Sequence, residues 1–155
     1  MVYVLLGTGF EEIEALTPVD LLRRAGVEVK TVGLNGKIVY GGHAIGVEAD
    51  LTIEELDVRD AEMIVLPGGL GGVASIRGCE KALAAVKAVA AAGNYIAAIC
   101  AGPTVLADLG LLSGVQATCY PGQIPNMKDA LVAENAACIT DGKVITGTSA
   151  GTAVP

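Results

Sequence analysis

The most informative segment of this chain is Tyr95-Ile-Ala-Ala-Ile-Cys-Ala-Gly-Pro-Thr104. Its apolar residues 95–99 predict a short buried strand, and Cys100 follows that strand directly. Pro103 then opens a helical pattern, residues 104–112, because proline is favoured in the first turn of a helix. A cysteine between a buried strand and a helix start is typical of a nucleophile elbow, in which a nucleophilic side chain stands at the carboxyl end of a sheet.

Cys100 has two interpretations from this segment alone. A helix N-terminus offers free N–H groups and partial positive charge, which favour a thiolate over a thiol. Free cysteines are, however, often buried and purely structural. The choice between a reactive and a structural cysteine therefore depends on residues elsewhere in the chain.

Composition limits the class of protein. The 155 residues are 52% hydrophobic and 3% aromatic, and they carry a net charge of −7. This length predicts one domain with an aliphatic core, and the acidic balance argues against nucleic-acid or membrane-surface partners. We also find no secretory signal and no run near the ~18 apolar residues of a membrane helix, so we expect a cytoplasmic protein.

Cysteine and glycine spacings argue against the common cofactors. The four cysteines form no C-x-x-C pair, and His43 is the only histidine, so we predict no metal site and no disulfide framework. Gly7 and Gly9 begin a dinucleotide-binding pattern, but Glu12 stands where its third glycine is needed. The sequence therefore predicts no cofactor.

Strands alternate with helices along the chain, which predicts an α/β fold with a mainly parallel sheet covered on both faces. The predicted strands are 2–6, 27–34, 61–66, 95–99 and 115–119, with hairpins at 38–47 and 136–146. The predicted helical segments are 18–25, 51–56, 72–79, 80–92, 104–112 and 127–131. Thr17-Pro18-Val19-Asp20 is typical of a helix start; the alternative is a helix that continues from Glu11 with a kink at Pro18.

Three segments distant in sequence are predicted to meet at the carboxyl edge of this sheet. Glu14 follows the first strand, Gly68-Gly69 follows a central strand, and Cys100 follows the next. The simplest interpretation of Glu11, Glu12 and Glu14 is three solvated carboxylates in a first helical turn, but Glu14 has the more apolar neighbours. The edge would then combine a carboxyl, backbone N–H groups and a thiol.

Together these motifs resemble the ThiJ/PfpI superfamily, in the branch of the Parkinson-disease-associated deglycase and redox sensor. The resemblance covers essentially the whole chain and rests on residues 11–14, 18–20, 23–26, 65–69, 97–103 and 146–152. It implies a flavodoxin-like three-layer sandwich and a homodimer. Family members continue with a further helical segment, so we expect one domain, residues 1–155, that lacks this C-terminal segment.

The resemblance also implies roles for individual residues. Cys100 matches the reactive cysteine of the family, and Glu14 matches the carboxylic acid that hydrogen-bonds its thiolate. Gly69 and Ala101, with Gly68 beside them, match positions whose backbone N–H groups form an oxyanion pocket.

Tyr120 stands where this branch often has a histidine. It is expected either as a pocket wall or hydroxyl donor, or as a turn residue with its hydroxyl in water. His43, at a hairpin tip, is expected in solvent, so a Cys–His dyad is not predicted. This argues against a PfpI-type peptidase and against an amidotransferase.

The implied function is cysteine-dependent detoxification of small dicarbonyls or glycated substrates. The reaction would be that of a glutathione-independent glyoxalase, which converts methylglyoxal to lactate, or of a protein deglycase, hence a hydro-lyase or hydrolase with an oxidation-sensitive cysteine. The alternative is a redox-sensing stress-response chaperone without turnover. In that case Cys119 is either a resolving thiol or, as we favour, a structural cysteine.

Overall fold

A seven-stranded sheet forms the middle layer of the molecule in the computed structural model, which describes residues 1–153. The strands are β1 (Val2–Leu6), β2 (Val29–Gly33), β3 (Ile38–Tyr40), β4 (Gly46–Glu48), β5 (Leu51–Thr52), β6 (Met63–Leu66), β7 (Tyr95–Ile99), β8 (Gln116–Ala117), β9 (Leu131–Val132), β10 (Cys138–Asp141) and β11 (Val144–Gly147). The helices are α1 (Glu12–Arg24), α2 (Leu70–Arg77), α3 (Glu80–Ala91) and α4 (Pro103–Asp108). Short 3-10 helices cover Ile53–Glu55, Pro121–Asn126 and Ala150–Thr152.

The sheet runs in the order β10-β11-β7-β6-β1-β2-β5. Every pairing in it is parallel except that of β10 with β11. The predicted mainly parallel sheet is therefore confirmed. Its central strands β1, β6 and β7 all end at the same edge, which brings the segments that follow them together.

Successive side chains of β1 point to opposite faces of the sheet, and each face carries one of two hydrophobic clusters. Tyr3 and Leu5 belong to the larger cluster, which packs against α2, α3 and α4. Val2, Val4 and Leu6 belong to the smaller cluster, which includes residues of α1. Since successive strand residues point to opposite faces, a strand buried on both faces is apolar throughout, as β1 is. The three-layer α/β fold predicted from the sequence is confirmed.

The first helix begins earlier than its strongest sequence signal predicted. It starts at Glu12 and continues through Pro18, so the predicted start with Thr17 as N-cap is wrong. Proline removes one hydrogen bond to the carbonyl four residues before it. The helix nevertheless continues because Ala15, before the proline in the sequence, and Val19, after it, are both buried in the smaller cluster. Tertiary packing has here outweighed local helix propensity.

Two further predictions between β7 and β10 are corrected. The helical turn predicted for residues 127–131 is absent; the 3-10 helix lies earlier, at Pro121–Asn126, and β9 follows it. The strand predicted for 115–119 shortens to β8, which pairs in parallel with β9 outside the main sheet. The fully buried Met127 ends this 3-10 helix and anchors the segment in the core.

Three further expectations concern the last hairpin, membrane-spanning helices and the C-terminal segment. The Asp141-Gly142 turn between β10 and β11 is present, with Gly142 at φ 58°. Among residues 1–153, no helix has the length and apolarity to cross a bilayer. The expectation about the C-terminal segment falls at residues 154–155 and beyond, outside the described residues.

Candidate functional site

Cys100 occupies a sharp turn between β7 and α4. Its φ of 61° lies in the left-handed region, which costs a residue with a Cβ roughly 1–2 kcal/mol. Two hydrogen bonds hold the turn: the N–H of Cys100 donates to the carbonyl of Gly147 at 3.0 Å, and the N–H of Tyr120 donates to the carbonyl of Cys100 at 2.9 Å. The neighbouring segments thus fix a backbone geometry that the cysteine alone would not favour.

A polar network supports this turn from the α4 side. The Thr104 hydroxyl donates to the carbonyl of Ala101 at 2.6 Å and accepts from the Arg77 guanidinium at 2.6 Å. Asp108 in turn binds both Arg77, at 2.8 Å, and Lys128, at 2.7 Å. These contacts tie the start of α4 to α2 and so restrict movement of the residue that follows Cys100.

Glycine at position 68 allows the loop after β6 to pass directly beside the thiol. A Cβ there would lie 2.3 Å from Oε2 of Glu14 and 2.6 Å from Cβ of Cys100, well inside van der Waals contact. The next residue, Gly69, has a φ of 82° that other residues rarely adopt. Close contacts at position 68 and the positive φ at position 69 therefore explain why both residues are glycine.

Glu14 lies in the first turns of α1 and is 2% exposed. Its carboxyl receives the N–H of Gly68 at 2.9 Å, receives the N–H of Ala150, and is hydrogen-bonded to the Cys100 thiol. Burial raises the pKa of Glu14 above its usual value, although these hydrogen bonds act in the opposite direction. The structure thus brings the predicted carboxyl and thiol into direct contact.

The pKa of Cys100 is raised to about 11 by burial, by the negative charge of Glu14 and by the hydrogen bond to it. The backbone N–H groups of Ala101 and Gly69 lower the pKa of the thiol, but they do not compensate for these effects. The expectation that the helix N-terminus would make this an acidic thiol is therefore wrong while Glu14 is ionised. Because two adjacent anions repel each other, ionisation of one group disfavours ionisation of the other, and Cys100 and Glu14 titrate as a coupled pair.

A cavity of about 190 Å³ opens onto this pair. Tyr120, which is 49% exposed, forms part of its wall; a pocket wall was one of the two positions expected for it. Gly68 is in close contact with Glu14 and Cys100, but it is not among the residues that line the cavity. The lining residues are Glu11, Glu14, Gly69, Leu70, Cys100, Ala101, Tyr120 and Gln123.

Three of these lining residues were not predicted as site residues. Glu11 shares with Glu14 the position after β1, a signal that could have identified it. Leu70 follows Gly69 directly and is 73% exposed, which is unusual for leucine. Gln123 lies in the 3-10 helix after Tyr120, where a single sequence gives no signal.

The three acids after β1 do not form the solvated set that was the simplest interpretation. Glu12 is buried, and it accepts hydrogen bonds from the backbone N–H of His43 at 2.7 Å and from its Nδ1 at 2.8 Å. His43 is exposed, as predicted, and is not among the residues that line the cavity. Potential metal-ligand atoms of Glu11, Glu12 and His43 lie within 4.8 Å of one another, an arrangement that the Glu12–His43 ion pair accounts for.

The remaining cysteines differ from Cys100 in their environments. All four are free thiols. Cys119 is buried, its Sγ donates to the carbonyl of Tyr120 at 3.3 Å, and burial raises its pKa. These contacts favour a structural role for Cys119 over that of a resolving thiol.

Comparison with known proteins identifies relatives of this chain. The sequence model of the DJ-1/PfpI family matches residues 1–155. Protein dj-1beta of Drosophila melanogaster is 35% identical over 152 residues, which cover 97% of this chain and 81% of that protein. A deglycase of Pyrococcus abyssi is 33% identical over 129 residues, or 83% of this chain and 77% of the relative. The chain spans only 35% and 37% of the lengths of two DJ-1 homologs of Arabidopsis thaliana.

The fold is similar to solved structures as well. The structure of oxidized Toxoplasma gondii DJ-1 matches with a TM-score of 0.93 at 33% sequence identity. The match covers 98% of this chain and 83% of the other.

Proposed function

This chain belongs to the DJ-1/PfpI family, and from that membership we propose that it uses Cys100 to detoxify small reactive carbonyl compounds or their adducts on proteins. The observation that carries the proposal is the contact of the half-buried Cys100 with the buried Glu14, beside the backbone N–H groups of Gly69 and Ala101, in a cavity of about 190 Å³. A cavity of this size suits a three-carbon dicarbonyl such as methylglyoxal. A similar protein of Pyrococcus abyssi is named a deglycase, which supports an activity on carbonyl adducts.

The first step is addition of the Cys100 thiolate to the aldehyde carbon of methylglyoxal. A sulfur–carbon bond forms, and the carbonyl electron pair moves onto oxygen. The N–H groups of Gly69 and Ala101 stabilise this oxyanion, a contribution worth about 3 kcal/mol per donor in comparable sites. The proton of the Cys100 thiol passes to Glu14 as the sulfur attacks, and Glu14 transfers it to the oxyanion, which gives a hemithioacetal.

Glu14 then acts as the base. Its carboxylate removes the proton from the carbon that carries sulfur, which gives an enediol, and it returns that proton to the neighbouring carbon. The hydroxyl proton on the first carbon passes to the oxygen of the second, so that the first becomes the thioester carbonyl. The product is a thioester of lactate on Cys100, and water hydrolyses it to lactate and the free thiol. Burial raises the pKa of Glu14, which makes its carboxylate a stronger base than that of an exposed glutamate.

The test is methylglyoxal consumption and lactate formation without glutathione. We expect Cys100→Ser to reduce turnover to near the uncatalysed rate and Glu14→Gln to reduce it about a hundredfold or more. The matched control is Cys138→Ser, because Cys138 is exposed and does not line the cavity. Full lactate formation by the Cys100→Ser protein would contradict the proposal.

A second function, peroxide sensing by Cys100, is favoured by the donors around its sulfur. Two equivalents of peroxide would each transfer one oxygen to the thiolate and release one water, giving a sulfinate. Glu14 and the N–H groups of Gly69 and Ala101 would hold its oxygens. Oxidized Toxoplasma gondii DJ-1 is among the similar structures.

Mild peroxide followed by mass spectrometry tests the sensing function. Cys100 should gain the mass of two oxygen atoms before Cys79 or the exposed Cys138 does. Equal oxidation of all three thiols would count against it.

We also propose that the protein is a homodimer. Large apolar side chains are exposed on two neighbouring elements, Ile13 and Leu21 on α1, and Ile38, Tyr40 and Ile45 in the β3–β4 hairpin. A second copy of the chain would cover this patch. Light scattering should give a dimer for the wild type and a monomer for Ile13→Asp.

A further inference from the structure

We propose that Glu11 selects the charge of the compounds that reach Cys100, so that the site accepts uncharged or cationic carbonyls and rejects those that carry a carboxylate. The proposal rests on the proposed function for the identity of its substrates. Its physical basis, the charge on the cavity wall, does not depend on turnover.

The cavity wall carries acidic side chains and no basic one. Glu11 and Glu14 supply its acids, and the other lining side chains are neutral apart from the Cys100 thiol. The Glu11 side chain is 24% exposed, so it is close to the entrance and still partly shielded from water. Although Glu11 is the N-cap of α1, its side chain makes no capping hydrogen bond. Its charge is therefore available to act on the contents of the cavity.

His43 lies beside Glu11 but binds more closely to Glu12. His43 Nδ1 lies 3.8 Å from the Glu11 carboxylate but only 2.8 Å from that of the buried Glu12. Glu12 also receives the backbone N–H of His43. His43 therefore interacts more strongly with Glu12 than with Glu11, and its positive charge compensates that of Glu11 only in part.

The field of Glu11 reaches the reacting groups. Burial raises the pKa of Glu14, and the charge of Glu11 adds to that increase. Glu11 and Glu14 both line a cavity of about 190 Å³, so a carboxylate that entered it would lie beside two acidic side chains. Such an arrangement disfavours anionic compounds, whereas an amide or aldehyde of the same shape meets no repulsion.

Two alkylating agents of similar shape test this selection without any enzymatic turnover. Iodoacetamide is neutral and iodoacetate is anionic, and both lose iodide to a thiolate. The measurement is the ratio of their rates at Cys100, divided by the same ratio at the exposed Cys138 of the same molecule. We expect Glu11→Gln to lower the normalised amide-to-acetate ratio by about fivefold, the factor for two unit charges some 4 Å apart in water.

Two further variants and added salt test whether the charge of Glu11 causes the change in the ratio. Glu28→Gln removes the same charge from an exposed position at the opposite edge of the sheet, before β2, and should leave the ratio unchanged. Glu11→Lys should lower the ratio further than Glu11→Gln, and added salt should weaken the wild-type preference. Wild-type ratios in Glu11→Gln and Glu11→Lys proteins with native melting temperatures would overturn the proposal.

The same selection is expected among substrates. Glyoxal and glyoxylate both present an aldehyde, but only glyoxylate carries a carboxylate. Glu11→Gln should raise the kcat/KM of glyoxylate relative to glyoxal by a similar factor of about five. Absence of turnover with both compounds would contradict the proposed function, whereas the alkylation ratios would still decide the role of Glu11.

Discussion

The Glu14 carboxyl gains its chemical role from the cost of ionising it. Burial beside a thiol raises its pKa, while the N–H groups of Gly68 and Ala150 keep the anion from being prohibitively unstable. Burial of Glu14 therefore favours its neutral form, while its hydrogen bonds favour the anion. Such a compromise suits proton transfer but reduces the stability of the folded protein.

Replacing Glu14 should expose that stability cost. A carboxyl whose pKa is raised on folding stabilises the folded state below its unfolded pKa, and the stabilisation is lost as pH rises through the folded pKa. We therefore expect the melting temperature of Glu14→Gln, relative to wild type, to be higher at pH 8 than at pH 4. A difference between the two proteins that does not change with pH would argue against the raised pKa.

Gly68 should tolerate no side chain. A methyl group there would overlap both Glu14 and Cys100, so we expect Gly68→Ala to destabilise the protein by about 1–3 kcal/mol and to slow alkylation of Cys100. Gly78→Ala is the matched control, because its added Cβ would meet its nearest atom at an ordinary 3.5 Å. Equal denaturant midpoints for the two variants would show that the contact at position 68 is not tight.

At the scale of elements, the β3–β4 hairpin is attached to the loop between β1 and α1. Gly42 donates to the carbonyl of Phe10, and Gly9 donates to the carbonyl of Tyr40, each at 2.8 Å. The Glu12–His43 ion pair adds a side-chain contact at the same place. Through this loop the hairpin supports the helix start that carries both Glu11 and Glu14.

This attachment should depend on pH. The hydrogen bond and charge of Glu12 raise the pKa of His43, so the histidine stabilises the fold below its usual pKa of 6.5 and loses this effect as pH rises through the folded value. Burial opposes ionisation of Glu12, but the hydrogen bonds from His43 outweigh it and lower the pKa, so the contribution of Glu12 is lost at acidic pH. The pair therefore stabilises the fold most between these two pKa values.

We expect His43→Ala to lower the melting temperature near pH 6 and to have a smaller effect at pH 9. Lys37→Ala, in the same hairpin but bonded to the carbonyl of Asp50, provides a control. Its effect should be similar at both pH values. A loss in His43→Ala that is as large at pH 9 as at pH 6 would exclude the ion pair as its cause.

At the scale of the whole molecule, the sequence predicted those features that depend on short, strong patterns. The buried strands β1, β6 and β7 are continuous apolar runs, and their common direction follows from the helices between them. The start of α1 was less predictable because Pro18 is a strong local signal that packing by Ala15 and Val19 outweighs. Residues 113–135 contain only short elements, whose positions depend on contacts with the rest of the fold.

The candidate site was predictable to the same extent. Cys100, Glu14 and Gly69 follow directly from strand ends that share one sheet edge. Glu12 and His43 are 31 residues apart, and no pattern in a single sequence indicates that they meet. Gln123 reaches the cavity through an irregular segment, so its position depends on tertiary structure alone.

The order in which the chain is synthesised gives the Cys100 turn one more property. Glu14 and Cys100 emerge from the ribosome before the two groups that complete their surroundings, the carbonyl of Gly147 and the N–H of Ala150. Until those residues are made and β11 has paired with β7, the backbone turn at Cys100 lacks its hydrogen bond to Gly147. The turn that presents the thiol is therefore completed only when nearly all of the described chain has been synthesised.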